Sequence, residues 1–421
     1  MKISLLALLL APASLLAGNV IFIHPDGSGV SHWQAARFVQ AGPDGDLNWD
    51  KLPNVAVYRG HMSDSLTATS NGGATTHAYG IKVPSSAFGT DGRGNGRPNS
   101  AAGVRGSLMH EALERGIRVG VVNSGSAIEP GTACFLTSVE KRDGYEDITA
   151  QLVESGADVI LSGGEEWFLP EGVAGRHGPG KRKDGRNLVE EAKKRGYTLV
   201  FTRDELLAVP DGTRKLLGIF SVANTFNDMT EEAMKALDLP TYKPGTPTLA
   251  EMTRTALRLL GKDQFFLVVE EEGPDNFGNN NNAQGVIDAL LRADEAFGVA
   301  AEFVAAHPKT LLITAADSEA GNMDVVGFVP SVEKIAIAKN RRDRNGAVYS
   351  LSRDGEPFLS APDRAGVRHP FVISWGTLLD SSGGIVVRAD GFHADRVHGS
   401  IDNTGIYSIM RAALFEDDVK R

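Results

Sequence analysis

Residues 19–26 read NVIFIHPD, a run of strand-forming apolar residues that ends in a carboxylate. Two later stretches repeat this pattern, QFFLVVEEEGPD at 264–275 and TLLITAAD at 310–317. Short runs rich in Val, Ile, Leu and Phe, separated by segments with helical patterning, are typical of buried parallel strands. These three runs therefore predict an α/β protein built on a mostly parallel central sheet.

The residues between and after these runs support the same fold. Further strand-like runs begin at Arg118, Ala157 and Tyr197, and helix-like segments occupy 187–195, 248–260 and 283–306. Strands that alternate with helices predict a doubly wound sheet with helices on both faces. Residues 325–363 interrupt this alternation, and we interpret them as a surface insertion in a single domain that spans residues 18–421.

Four acidic residues follow the predicted strands: Asp26, Glu270, Asp275 and Asp317. Because ligands of open α/β sheets bind beyond the carboxyl ends of the strands, we expect these side chains to converge. Carboxylates gathered at one edge of a sheet repel one another unless cations lie among them. The sequence therefore predicts a metal site at this edge.

Ser70 lies directly before a run of small residues in the stretch LTATSNGGATTHAYGIKV, residues 66–83. Small residues allow a helix to begin close to a ligand, and the amino end of a helix presents unpaired N–H groups and partial positive charge. A phosphate group is stabilised in such a position. Ser70 is therefore either an ordinary helix cap or a nucleophile beside an anion site.

Composition and charge limit the classes of function. The net charge is −10 and the pI is near 5.5, and the basic runs at 181–186 and 339–344 are short and interrupted by acids. These values argue against a nucleic-acid surface. The chain has neither a GxSxG nucleophile elbow nor a Walker pattern, which disfavours an α/β-hydrolase and a P-loop enzyme.

The first seventeen residues, MKISLLALLLAPASLLA, have a basic residue, a short apolar core and small residues at the end. This pattern predicts a secretory signal at residues 1–17, and with it export to the periplasm or the extracellular space. No later stretch predicts a transmembrane segment. The single cysteine, Cys134, excludes an intrachain disulfide.

Several motifs, taken in order, resemble those of the alkaline phosphatases. DGSG at 26–29 is similar to the segment of the family's first metal aspartate, and SNGGATTHAYGIK, residues 70–82, is similar to its nucleophile segment. That register selects Ser70 over Ser65. Residues 135–142 match the stretch that carries the phosphate-binding arginine, which falls on Arg142.

The resemblance continues through the second half of the chain. FFLVVEEEGPDNFGN is similar to the strand with a magnesium glutamate and a zinc aspartate, here Glu270 and Asp275. TAADSEAG places a further metal aspartate at Asp317, and SIDNTGI, residues 400–406, resembles the segment before the last helix. The resemblance thus covers nearly the whole chain and implies the alkaline phosphatase fold.

The chain also departs from the family's pattern at its ligands. The three zinc histidines fall on Asn279, Ser318 and Arg364, and the aspartate before the nucleophile falls on Thr69. The magnesium-binding threonine falls on Gly131, with Glu129 as a possible substitute. Oxygen ligands favour magnesium, calcium or manganese over zinc. His393 and His398 would restore nitrogen ligands if the C-terminal loop folded back.

The resemblance implies a metal-dependent phosphomonoesterase that acts on a small phosphate ester through a phosphoserine at Ser70. Arg142 would hold two phosphate oxygens with its planar fork. Mg²⁺ is expected, Zn²⁺ is implied by the family, and Ca²⁺ or Mn²⁺ are alternatives. Two other functions stay open: a secreted protein that binds a phosphate ligand without turnover, and a phosphodiesterase or sulfatase relative. The sequence carries no signal for the oligomeric state.

Overall fold

The computed structural model describes residues 17–94, 96–329, 331–342, 346 and 348–415. Residues 1–16 of the predicted signal, and residues 343–344 of the second basic run, lie outside these ranges. None of the helices within the ranges combines the length and apolarity that a bilayer crossing requires.

The described strands are β1 Asn19–Pro25, β2 Asn54–Arg59, β3 Arg118–Ser126, β4 Val159–Gly163, β5 Thr198–Val200, β6 Leu216–Ile219, β7 Phe265–Glu271, β8 Thr310–Thr314, β9 Glu319–Ala320, β10 Met323–Gly327, β11 Val348–Ser350, β12 Phe358–Leu359, β13 Pro370–Trp375, β14 Asp380–Ser381, β15 Val386–Gly391 and β16 Gly399–Asp402. The helices are α1 Val30–Gln40, α2 Ser70–Tyr79, α3 Leu108–Glu114, α4 Pro130–Ala133, α5 Tyr145–Glu154, α6 Leu188–Lys194, α7 Arg203–Leu207, α8 Glu231–Ala236, α9 Leu249–Leu260, α10 Gly273–Asn279, α11 Ala283–Ala306, α12 Val332–Lys339 and α13 Asn403–Phe415. Two short 3-10 helices cover Glu165–Trp167 and Ala394–Arg396.

The central sheet has the strand order β16-β2-β15-β8-β1-β7-β3-β4-β6-β5. β1 lies near its centre and pairs in parallel with both β7 and β8, so that Phe22 is opposite Val268 and Ile313. From β8 to β5 every pairing is parallel, whereas β15 runs antiparallel to both β8 and β2. The predicted α/β fold with a mostly parallel sheet is confirmed.

Helices cover both faces of this sheet because alternate strand residues point to opposite sides. Val20 and Phe22 of β1 join one apolar cluster with α2, α3 and α13, and Ile21 and Ile23 join the other with α1, α9 and α11. All four side chains are fully buried. Each contributes roughly 1.5–3 kcal/mol of hydrophobic stabilisation, which fixes β1 and the loop that follows it.

A second, smaller sheet lies apart from the central one. It contains β10, β11 and β12, each of which pairs antiparallel with β13. The segment 325–363, which the sequence marks as an insertion, contributes to this sheet. Separately, β9 pairs with β14, so that Asp380 lies opposite Ala320. This short pairing brings a distant loop to the carboxyl end of the central sheet.

Candidate active site

Three central strands deliver acidic side chains to the same edge of the sheet. Asp26 follows β1, Glu270 lies near the end of β7 and Asp317 follows β8, and all three are buried. The parallel register sets His24 of β1 directly beside Glu270. His24 Nε2 lies 3.4 Å from Asp26 Oδ1 and 3.9 Å from Asp317 Oδ1. The structure therefore brings these predicted acids together around a histidine that was not predicted.

The next acids come from α10, which begins directly after β7. Asp275 and Asn279 lie one helical turn apart, and Asn279 Nδ2 donates to Asp275 Oδ1 at 3.2 Å. The same amide donates to Asp380 Oδ1 at 3.0 Å. Ser318 is buried beside Asp317 and is one of the groups that lower the pKa of Asp380, which burial raises overall. Asp380 thus joins the site, although its loop sequence, LLDSSGG, carries no signal for it.

Two groups of side chains have the spacing of metal ligands, and both include Asp26. One is His24, Asp26 and Glu270, and the other is Asp26, Glu272 and Asp275; within each group the ligand atoms lie within 4.8 Å of one another. Buried Asp26 Oδ2, Glu270 Oε1 and Glu272 Oε2 have no hydrogen-bond partner among the described residues. Buried oxygens without donors fit a cation, because leaving them unpaired is costly.

The electrostatics of the cluster also favour a cation. Burial raises the pKa of Glu270 to about 7. Burial, together with neighbouring carboxylates, raises the pKa of Glu272, Asp275 and Asp317 well above their ordinary values. Burial opposes ionisation of Asp26 too, but Asp317 and His24 outweigh it and hold the Asp26 pKa below its ordinary value. Bound divalent cations would remove this mutual repulsion.

Ser70 is the first residue of α2 and faces this cluster. Its side chain is one of the groups that lower the pKa of Asp26. Gly73, one turn later, packs so closely on Asp317 that a Cβ at position 73 would lie 2.3 Å from the Asp317 Cβ. Thr69 is the N-cap: its hydroxyl accepts from Gly72 N at 3.3 Å and donates to Ser85 O at 2.5 Å. The cap is therefore Thr69, which leaves the Ser70 hydroxyl available.

Arg142 reaches the same place from the loop after α4. One of its terminal nitrogens donates to Asn71 Oδ1 and the other to Glu129 Oε2, both at 2.6 Å. Because Asn71 follows Ser70, these bonds fix the guanidinium beside the serine. The Arg142 side chain keeps 38% of its surface exposed, so a ligand can still contact it. In this structure Glu129 is the ion-pair partner of Arg142.

The carboxylate of Glu270 is held by residues that sequence reasoning missed. Asn123 Nδ2 donates to Glu270 Oε2 at 2.5 Å, and Thr132 Oγ1 donates to the same oxygen at 3.1 Å. Gly131 packs against the same carboxylate, since a Cβ at position 131 would be 2.0 Å from Glu270 Oε1. Thr132, next to Gly131 in the chain, is thus the threonine that contacts this acid.

Two expectations about the replaced zinc histidines need correction. The structure does not bring Arg364 to the site: its side chain is exposed and its backbone N–H donates to Asp44 Oδ2, beyond the far end of α1. His393 and His398 follow β15 and precede β16 at the opposite edge of the sheet, because β15 runs antiparallel to β8. His24, which the sequence analysis did not single out, lies in the site instead.

Comparison with known proteins identifies the family. Residues 17–415 match the family model described as alkaline phosphatase. The chain belongs to the alkaline phosphatase family. It is 26% identical to the alkaline phosphatase of Escherichia coli K12 over 439 residues, which cover 94% of this chain and 86% of that protein. It is 31% identical to the repressible alkaline phosphatase of Saccharomyces cerevisiae over 75% of this chain and 57% of that protein.

Solved alkaline phosphatases share the fold. The Thermus thermophilus enzyme superposes with a TM-score of 0.73 at 21% identity, covering 95% of this chain and 91% of that one. The enzyme of the Antarctic bacterium TAB5 superposes with a TM-score of 0.71 at 20% identity, covering 95% and 99%. The chain is thus a hydrolase of the class that acts on phosphoric monoesters.

Proposed function

We propose that this chain is a metal-dependent phosphomonoesterase that forms a phosphoserine at Ser70. One observation carries the proposal: Ser70 begins α2, whose Gly73 packs against Asp317, and it precedes Asn71, which holds Arg142. The acid cluster and a donor for phosphate oxygens thus flank one hydroxyl nucleophile.

The residues of the site divide the reaction between them. Arg142, with its exposed fork, binds two oxygens of the phosphate and orients the phosphorus towards Ser70. Asp26, whose pKa the Ser70 side chain helps to lower, would orient the serine hydroxyl towards the phosphorus. The bond from Ser70 Oγ to phosphorus forms as the bond to the leaving oxygen breaks, and the serine proton passes through solvent to the leaving oxygen. Water then hydrolyses the phosphoserine, which releases inorganic phosphate and restores the Ser70 hydroxyl.

The carboxylates of the site would hold the cations. Asp26, Glu270, Glu272, Asp275, Asp317 and Asp380 supply oxygen ligands, which suit Mg²⁺, Ca²⁺ or Mn²⁺. A divalent cation bound there supplies Lewis acidity that lowers the pKa of the serine hydroxyl. A structure of a TAB5 alkaline phosphatase variant holds Mg in a site named M3, which supports magnesium in this fold. We further propose that the signal-like residues 1–17 direct export.

Hydrolysis of p-nitrophenyl phosphate tests the proposal. The purified protein is chelated and then supplied with Mg²⁺, Ca²⁺, Mn²⁺ or Zn²⁺ in turn, beside bis(p-nitrophenyl) phosphate and p-nitrophenyl sulfate as competing substrates. We expect no turnover after chelation, recovery with at least one cation, and preference for the monoester. Faster diester or sulfate cleavage would instead assign a phosphodiesterase or sulfatase. Saturable phosphate binding without turnover under every cation would assign a binding protein.

A further inference from the structure

We propose that His24 is a metal ligand, and that it makes the two candidate metal sites chemically different. The inner group, His24, Asp26 and Glu270, would then bind a transition metal that accepts imidazole nitrogen, such as Zn²⁺ or Co²⁺, and would take Mn²⁺ as a spectroscopic probe. The outer group, Asp26, Glu272 and Asp275, offers only oxygen and would bind a hard cation such as Mg²⁺ or Ca²⁺. This inference rests on the metal requirement of the proposed function and extends it to metal selectivity.

The orientation of the His24 ring is the first observation. Nδ1 lies 2.7 Å from Ala315 O. A carbonyl oxygen only accepts hydrogen bonds, so Nδ1 carries a proton and Nε2 is the atom that faces the carboxylates. Nε2 is fully buried and makes no hydrogen bond within the described residues. Histidine ligands in proteins commonly donate their second ring nitrogen to a backbone carbonyl in this way.

Asp26 and Glu270 each keep one buried carboxylate oxygen without a hydrogen-bond partner in the described part of the chain. These oxygens are Asp26 Oδ2 and Glu270 Oε1. The other oxygen of each is held, Asp26 Oδ1 by Gly27 N at 2.8 Å and Glu270 Oε2 by Asn123 and Thr132. Each residue thus has one atom fixed by the protein and one left free, an arrangement that orients ligands before a metal binds.

The distances suit a small cation. Ligand atoms of the three residues lie within 4.8 Å of one another. Two ligands on a tetrahedral metal with bonds of about 2.1 Å lie about 3.4 Å apart. A modest movement of the side chains around a bound ion would therefore complete the coordination.

Gly131 provides the space for this arrangement. A Cβ at position 131 would lie 2.5 Å from His24 Cδ2 and 2.0 Å from Glu270 Oε1. The family resemblance places a metal-binding threonine at position 131, and its side chain would collide with both residues. Only a residue without a side chain at position 131 therefore leaves room for the His24 imidazole in its present position.

His32 is a matched internal comparison. It is also fully buried, one ring nitrogen lies 3.0 Å from Ala320 O, and the other lies 3.6 Å from Glu319 Oε1. However, that nitrogen is also 3.3 Å from Gly29 N and closes the cap of α1. His32 is thus engaged by the fold, whereas His24 Nε2 is left free among several carboxylates.

One competing account is that His24 is a permanent imidazolium that neutralises the acids in place of a metal. Bound metal and bound proton exclude each other at Nε2, because a ligand nitrogen must be deprotonated. A direct probe of the metal–nitrogen bond therefore separates the two accounts.

The test is electron spin echo envelope modulation on the full chain, stripped of metal, loaded with one equivalent of Mn²⁺ in the presence of excess Mg²⁺ to fill the oxygen-only outer group, and produced with either natural or ¹⁵N-labelled histidine. We expect the modulation of a directly bound ¹⁴N imidazole, replaced by ¹⁵N coupling in the labelled protein. It should disappear in His24→Gln and persist in His32→Gln. The Zn²⁺ dissociation constant of His24→Gln, measured against a competing chelator, should rise at least about tenfold.

A second variant protects the test against misfolding. His24→Asp keeps a ligand but exchanges nitrogen for oxygen, so it should still bind Mn²⁺ while losing the nitrogen modulation. Bound Mn²⁺ without nitrogen modulation in the wild type, or modulation that survives in a folded His24→Gln protein, would overturn the proposal. The readout needs no turnover, so an inactive chain with the nitrogen signal would refute only the proposed function, and an active chain without it only this inference.

Discussion

Glu270 and Glu271 are neighbours on β7, are both fully buried, and point to opposite faces of the sheet. Glu271 Oε1 accepts from Ser124 Oγ and Tyr242 OH, each at 2.6 Å. Glu270 Oε1 accepts from no described residue and lies in the group with His24 and Asp26. Glu271 therefore stabilises the fold through its hydrogen bonds, whereas Glu270 keeps one oxygen available for a ligand.

The comparison also shows that an unpaired atom alone does not mark a site. Glu271 Oε2 has no hydrogen-bond partner among the described residues either. Burial raises the pKa of Glu271, while Ser124 and Tyr242 lower it. At Glu270 the neighbouring Asp26 and Glu129 add to the effect of burial. We call the face of the sheet that carries Glu270 the site face. It differs because several ligand atoms without hydrogen-bond partners, contributed by different elements, lie near one another there.

The largest expected effect is on the site face, at the nucleophile. Ser70→Ala should lower kcat for p-nitrophenyl phosphate at least about 10⁴-fold, because the covalent route is removed. The melting temperature should change little, since Thr69 rather than Ser70 caps α2. Steady-state kinetics with calorimetry check both, and Ser65→Ala, which alters a serine that bonds Thr67 N, is the control. A Ser70→Ala enzyme with near wild-type turnover would remove Ser70 from its role.

The next prediction compares substitution of Glu270 with substitution of Glu271. Glu270→Gln should lower metal affinity and kcat at least about tenfold each, with a small change in stability, because the amide is a poorer cation ligand. Glu271→Gln should leave metal stoichiometry intact but lower the free energy of unfolding by about 1–3 kcal/mol, because its hydrogen-bond network is broken. Metal analysis and urea denaturation measure both. The reverse pattern would show that the two faces have been assigned the wrong way round.

The sequence predicts the parts of the site that follow from strand topology. Asp26, Glu270 and Asp317 were expected together because the ends of parallel strands share one edge. Asp380 was not, because the two-residue pairing of β9 with β14 places it there. His24 was overlooked, yet a signal existed: it lies two residues before Asp26 in the strand-like run NVIFIHPD, and the period of a strand would have placed both side chains on one face.

The predictions for Arg364 and Asp275 departed from the structure because neither residue is positioned by the parallel strands. Arg364 was placed by matching a family position across residues 325–363, where the chain forms a separate small sheet and no parallel register constrains it. Asp275 was expected at a strand end, whereas α10 carries it together with Asn279. Short helices and pairings of two residues depend on tertiary contacts that leave little trace in local sequence patterns.

A smaller effect is expected from substitution of Arg142, which bonds Asn71 and Glu129. Arg142→Lys should raise KM for p-nitrophenyl phosphate by roughly 10–100-fold, because an ammonium cannot bond Asn71, Glu129 and two phosphate oxygens with one planar fork. Arg182→Lys is the matched control for arginine substitution, since Arg182 is buried and bonds Thr149 and backbone carbonyls. It should affect stability and leave KM unchanged. Unchanged KM in Arg142→Lys would exclude Arg142 from phosphate binding.

The smallest expected effect is the pH dependence of stability without metal. The folded-state pKa of Glu270 is raised from 4.5 to about 7, so its stabilising contribution is complete below pH 4.5 and is lost as pH rises through 7. The raised pKa values of Glu272, Asp275 and Asp317 likewise make the folded protein less stable as the pH rises. The lowered pKa of Asp26 changes the stability only at lower pH. Chelated protein should therefore melt at a higher temperature at pH 5.5 than at pH 8.

Cations should reverse this trend, because bound carboxylates stay ionised and their repulsion is offset. Saturating Mg²⁺ should raise the melting temperature more at pH 8 than at pH 5.5, and Glu270→Gln should reduce the pH dependence of the chelated protein. Glu302→Gln, on the exposed side of α11, is the control and should leave that dependence unchanged. A chelated protein that is more stable at pH 8 would show that the site face is not held under electrostatic repulsion, and would remove the distinction between Glu270 and Glu271.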